Sequence, residues 1–111
     1  MGVYESNYLR LLELTGPLVR LPARTVSIVR GDCELHLAVL ERARFTMDIA
    51  LTYLLPERLP DFRLRVYHDA RLVEVMPDEC RVERELRQCW SRNMMLNKWL
   101  DYCVERGHRF C

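Results

Sequence analysis

Glycine is scarce in this chain: there are four in 111 residues, and no two lie close together. That excludes a glycine-rich phosphate loop, and no serine or cysteine has the strand-to-helix glycine context of a nucleophile elbow. No apolar run reaches the length of a membrane span. The segment Met1 to Tyr8 also lacks the basic start and apolar stretch of a secretory signal. The five cysteines, Cys33, Cys80, Cys89, Cys103 and Cys111, are odd in number and widely spaced, unlike the even sets of secreted disulfide scaffolds. Reduced thiols and a cytosolic location are therefore expected. Zinc usually takes closely spaced ligand pairs, so no metal site is expected from Cys80, Cys89, Cys103 and His108, and no cofactor is implied.

An excess of charge of one sign is missing too. The chain has 17 basic and 16 acidic residues and a net charge of +1, so no overall field draws nucleic acid or an acidic membrane surface. Nucleic-acid binding would need a local patch. Lysine is nearly absent, Lys98 being the single one, and every other basic residue is arginine, whose planar fork suits carboxylates and phosphates. A coding bias toward arginine accounts for the same fact equally well.

Half of the residues are apolar, and the length fits one domain over 1–111 that folds without staples. Tyr4, Tyr8, Leu11, Leu12 and Thr15 recur at helical spacing, and Gly16 and Pro17 follow as stop signals, which predicts a first helix. Leu18 to Arg24 is a connector. From Thr25 the period changes to two: Val26 and Ile28, then Leu35, Leu37 and Val39, alternate with smaller or polar neighbours. The clearest strand places Phe45, Met47, Ile49, Leu51 and Tyr53 on one face and Thr46, Asp48, Ala50 and Thr52 on the other. Pro56 and Pro60 put a loop over Leu54 to Asp61. Phe62, Leu64 and Val66, then Leu72, Val73, Val75 and Met76, form a hairpin around Tyr67 to Ala70.

Pro77 to Gln88 suits a short helix and a loop equally. The last helix repeats Leu96, Trp99, Leu100, Cys103 and Val104 at three and four residues, with Asn97, Lys98, Asp101 and Glu105 opposite and Gly107 as its cap. The fold class expected is α+β, with an N-terminal helix, an antiparallel meander of about five strands, and a C-terminal helix packed on one sheet face. The other face would carry Thr46, Asp48, Thr52, Arg63 and Arg65.

In an up-and-down meander alternate turns lie at the same end of the sheet. Glu41, Arg42 and Arg44 should therefore neighbour Tyr67, His68, Asp69 and Arg71. Histidine beside a carboxylate could serve as acid or base, and three guanidinium groups could grip phosphate or carboxylate. Against this, turn aspartates commonly bond their own backbone, and Glu41 and Asp69 could pair with the arginines in a solvated network of little energetic worth. Trp90, Trp99, Tyr8 and Tyr102 could form a stacking platform, but helical spacing places Trp99 in the core.

Three stretches carry a family resemblance. They are Tyr4, Glu5, Asn7, Tyr8, Leu11 and Leu12; Val66 to Leu72 with Glu74 and Val75; and Trp99 to Cys103 ahead of Gly107. With Leu40 to Thr46 as a further motif, they resemble the YqiB-like family of bacterial proteins, a domain of unknown function. The resemblance implies a cytosolic protein and supplies no mechanism. The function expected is therefore a small non-enzymatic binding or adaptor domain acting through protein contacts. Its candidate surface is Glu41, Arg42, Arg44, Tyr67, His68, Asp69 and Arg71, and an open strand edge at Thr25 to Val29 or Arg71 to Met76 could take a partner or a second copy. The alternatives are a small enzyme or sensor for a phosphorylated metabolite or nucleotide, and an RNA-binding domain.

Overall fold

The computed structural model describes residues 2–53, 61–76 and 85–110. Helix α1 runs over Val3–Thr15, with Glu5 in its first turn complementing the positive end of the helix dipole. It stops at Gly16, whose φ of 64° turns the chain while its N–H reaches Leu12 O at 2.8 Å. A single 3₁₀ turn, Leu18–Arg20, occupies the connector. Strands β1 (Arg24–Ser27), β2 (Leu35–Arg42), β3 (Thr46–Tyr53), β4 (Asp61–Tyr67) and β5 (Leu72–Val75) follow, and α2 closes the order over Glu85–Glu105. All neighbouring strands are antiparallel and lie in chain order, so the sheet is the expected meander. The loop expected over Leu54 to Asp61 lies outside the described residues except for Asp61, which opens β4. Of Pro77 to Gln88, only 85–88 is described, and it is already helical.

Register decides what each face carries. Leu35, Leu37, Met47, Ile49, Leu51, Tyr53, Leu64, Val66, Val73 and Val75 point to one face and form a single core with Leu11 and Leu14 of α1 and Leu96, Leu100 and Cys103 of α2. Burying each such aliphatic side chain contributes roughly 1.5–3 kcal/mol, and this holds both helices on that face. The opposite face carries Thr46, Asp48, Thr52, Arg63 and Arg65 as expected. There Arg65 grips Asp48 through Nε to Oδ1 at 3.0 Å and Nη2 to Oδ2 at 3.3 Å.

Three expectations need correction. Phe45 falls outside β3, in the β2–β3 turn, and is 51% exposed, so the core face of β3 starts at Met47. In β1 the phase is reversed: Thr25 and Ser27 face the core and Val26 faces out, because Ser27 is paired with Leu35 and its hydroxyl is satisfied by the C-terminal segment. Asn97 and Asp101 are not free on a solvent side of α2 but bond to α1, although Asp101 stays half-exposed. Arg10 of α1 donates through Nε to Asn97 Oδ1 at 3.2 Å and through Nη1 to Asp101 Oδ1 at 2.6 Å, and Asn97 Nδ2 donates to Ser6 Oγ at 2.8 Å and Asn7 Oδ1 at 3.1 Å.

This polar seam continues to the sheet. Buried Asn7 donates through Nδ2 to Val73 O at 3.1 Å, and buried Asn93 accepts Val75 N–H at 2.9 Å. Both main-chain groups lie on the outer side of β5, the side away from β4, where no strand of the described residues pairs. Two asparagines thus close one edge of the sheet from the helix layer, a device that blunts strand addition there. The strand edge expected at Arg71 to Met76 is occupied at its centre.

Candidate functional site

The β2–β3 and β4–β5 turns do meet. His68 N–H donates to Phe45 O at 2.9 Å, and Ala43 N–H to Thr46 O at 2.9 Å, so the two turns form one continuous end of the sheet. A register shift between Val39 and Glu41 marks a bulge just before this end, which sets Glu41 opposite Asp48 and Arg42 opposite Met47.

The expected residues divide into committed and uncommitted ones. Arg42 turns away and donates through Nη2 to Leu21 O, tying the connector to the end of β2. Tyr67 stays on the open face, donating its hydroxyl to Glu74 Oε1 at 2.6 Å. Burial first, then the Glu74 carboxylate, raises its pKa above the usual phenol value, so it remains protonated. Arg44 lies with Cζ 5.0 Å from the centroid of the Phe45 ring, in cation–π contact. Glu41, Asp69 and Arg71 are exposed and His68 is half-buried. None of these four side chains has a hydrogen bond or ion pair among the described residues. The solvated network expected between Glu41, Asp69 and the arginines is not formed there.

Arg71 is also the one non-glycine residue with positive φ among the described residues, at 54°. A side chain in that conformation costs about 1–2 kcal/mol, and here it lets the chain reverse into Leu72. Arg71→Gly is expected to hold or raise stability by up to about 1 kcal/mol. Arg71→Val, branched at Cβ, should lower it by about 1–2 kcal/mol. Urea unfolding of both variants checks this, and a neutral valine would mean that the turn can be made another way.

A second cluster was not foreseen. Asp32 accepts hydrogen bonds from the Tyr53 hydroxyl, from Cys33 N–H at 2.8 Å, from Arg106 Nε at 3.2 Å and from His108 Nε2 at 3.1 Å. With that proton on Nε2, His108 Nδ1 accepts from Ser27 Oγ at 2.9 Å. Burial of Asp32 opposes its charge, but hydrogen bonds from Tyr53, Cys33, Arg106 and His108 outweigh it and hold the carboxyl well below the usual carboxylate range. Tyr53 is raised by burial and by Asp32.

Serine, histidine and aspartate in sequence of contact have the composition of a hydrolytic triad. The surroundings assign them another task. Ser27 is 4% exposed and its Oγ already accepts Arg109 N–H at 3.0 Å, so it presents no face to a substrate. His108 is buried, and Phe110 N–H binds Leu14 O at 2.7 Å. The cluster fastens the C-terminal segment to β1, the 28–34 connection and α1.

Cys103 sits in the core of α2, where burial and then the Asp32 charge push its thiol up to about 12, which suits a packing role. Trp99 packs on Phe62 at 5.0 Å and Tyr53 at 6.2 Å between ring centroids, against the core and not in a platform with Tyr8 and Tyr102. The Trp90 side chain lies outside the described residues. Among the described residues, no group of three or more histidine, cysteine or acidic side chains could hold a metal ion, and no helix is long and apolar enough to cross a membrane.

Comparison of the sequence with known proteins finds relatives over almost its whole length. The family described as "Protein of unknown function (DUF1249)" matches residues 10–109. The uncharacterized protein YqiB of Escherichia coli strain K12 is 27% identical over an alignment of 123 residues that covers 96% of this chain and 87% of the relative. The YqiB proteins of the O6:H1 and O157:H7 strains match to the same extent. No solved structure matches.

Proposed function

The chain belongs to the DUF1249 family of proteins of unknown function, and we propose that it works as a small, single-domain, non-enzymatic binding protein of the cytosol. It acts through protein–protein contacts at the end of the sheet where the β2–β3 and β4–β5 turns meet. The observation that carries this is the Phe45–His68 main-chain bond, which joins the two turns and presents an exposed phenylalanine beneath an arginine. Aromatic and arginine side chains together are the composition enriched at the energetic centre of protein interfaces. Glu41, His68, Asp69 and Arg71 surround them with charge and hydrogen-bonding capacity that the fold does not consume. The free thiols of Cys33 and Cys103 accord with a reducing compartment.

The test compares the immobilised wild type with the double variant Arg44→Glu/Phe45→Ser and with Met95→Ser, which alters an exposed methionine of α2, in lysate of the native host. A partner held by wild type and Met95→Ser and lost at least about tenfold by the double variant is the expected result. Equal retention by all three contradicts it. The two alternatives have their own signatures. Nucleotide binding abolished in Arg44→Ala/His68→Ala would favour a small enzyme or sensor for a phosphorylated metabolite, with His68 as acid or base. RNA binding falling steeply with salt would favour the arginine-bearing sheet face. The phosphate grip is weakened by the engagement of Arg42 with Leu21 O, which leaves Arg44 and Arg71.

A further inference from the structure

The two edges of the sheet are treated differently. On β5 two of the outward main-chain groups, Val73 O and Val75 N–H, are taken by Asn7 and Asn93. On β1 no strand and no side chain of the described residues takes that place. Val39 N–H donates to Ala23 O at 2.8 Å, so Ala23, Thr25 and Ser27 direct their main chain at β2, and Arg24 and Val26 direct theirs outward. This edge is also apolar and branched at Cβ, with Val26 42% and Ile28 75% exposed. Such an edge accepts an added strand.

Charge says which strand. Between Glu13 and Asp32 the chain carries Arg20, Arg24 and Arg30 and no acidic residue. All three are exposed, as is Arg109, whose main chain is fixed to Ser27. None of the four has an ion pair among the described residues. The two acids that follow Arg30 in the chain are already used: Asp32 by Tyr53, Arg106 and His108, and Glu34 by His36 at 3.1 Å. A second copy of β1 would bring two arginine-only segments together, and like charge opposes that pairing.

We propose that the β1 edge captures an extended, acidic segment of a partner protein by strand addition, its apolar residues covering Val26 and Ile28 and its carboxylates meeting Arg20, Arg24, Arg30 and Arg109. The inference rests on the chain being a protein-binding domain, but uses a surface separate from the turn end.

The probe is a fluorescein-labelled hexapeptide with glutamate at both ends of a Thr-Val-Thr-Ile centre, titrated by anisotropy into the full chain, with amide chemical shifts followed by NMR. Saturable binding is expected, with shifts centred on Arg24 to Ile28. Binding should fall about tenfold for Arg24→Glu/Arg30→Glu and for a peptide with lysine in place of glutamate. Methylation of alternate peptide amides should abolish it. The Arg44→Glu/Phe45→Ser variant should bind the peptide as wild type does. Absence of binding, equal binding of the lysine or methylated peptide, or shifts centred on Phe45 and His68 would overturn the proposal. Concentration-dependent dimerisation through Val26 in place of peptide binding would also overturn it and give the edge to a second copy. Loss of a partner in the turn-end variant alongside any of these results would leave the protein-binding function standing and remove only this edge.

Discussion

Asp32→Ala is expected to lower stability by about 3 kcal/mol, which for a domain of this size is about 10–20 °C in melting temperature. The carboxylate is the common acceptor for Tyr53, Cys33 N–H, Arg106 and His108. Truncation strands the buried Tyr53 hydroxyl and His108 Nε2–H in a low-dielectric site, and each buried unsatisfied group costs about 1–3 kcal/mol. Arg106 is exposed, so water replaces its partner at little cost. The loss should be local as well as global. The amide of Phe110, bound to Leu14 O in the native fold, should exchange faster in the variant than the amides of β3.

The same carboxylate sets an acid limit. Its folded pKa lies below the ordinary value of about 3.9, so between those values the unfolded chain binds the proton and the folded chain does not. Its contribution is therefore full above about pH 5 and lost as pH falls through about 4 toward the folded value. Asp32→Asn should show less loss of stability than wild type on acidification over that window. Equal slopes would place the acid sensitivity in other carboxylates.

Asn93→Leu is expected to cost about 2–3 kcal/mol in spite of the similar side-chain volume. It leaves Val75 N–H without its acceptor in a buried seam and takes from Asn7 Nδ2 one of its two acceptors, the other being Val73 O. The second consequence concerns behaviour in solution. The edge of β5 is then only half closed, and concentration-dependent association should appear by light scattering at protein concentrations where wild type is unchanged. Because Asn7 and Asn93 share a hydrogen bond, the double variant Asn7→Leu/Asn93→Leu should lose less than the two singles added together. Strict additivity would mean that the pair does not act as one closure.

How much of this was legible in the sequence differs by element. β3 was readable because Met47, Ile49, Leu51 and Tyr53 alternate without interruption and one face is dry. The apposition of the two turns followed from meander topology alone, but the residue that makes the contact with His68 is Phe45, which alternation assigns to the core face of β3. β1 was misread in phase because Val26 and Ile28 outweigh Ser27 on any hydrophobic scale, and only the distant His108 and Arg109 make Ser27 a core residue.

The Asp32 cluster was invisible for the same reason. Its members lie up to 81 residues apart, and each alone is an ordinary turn aspartate, strand serine or terminal histidine. The asparagine seam carries a sequence signal of its own. Asn93, Asn97 and Asp101 recur every four residues and form one helix stripe that faces Asn7 and Arg10, buried at Asn93 and opening to water at Asp101. At the turn end the seven candidate residues divide: Arg42 and Tyr67 are engaged by Leu21 O and Glu74, Arg44 lies against the Phe45 ring, and Glu41, His68, Asp69 and Arg71 have no hydrogen-bonding or ionic partner among the described residues.

The claim that the turn end is the working surface is tested most directly by replacing Phe45 with a photo-crosslinking phenylalanine analogue in the native host, with the same replacement at Met95 as control. A discrete crosslinked protein from position 45, absent from position 95 and abolished when Arg44→Glu is added, is the expected result. Identical products from both positions, or products from position 45 that persist with Arg44→Glu, would contradict it.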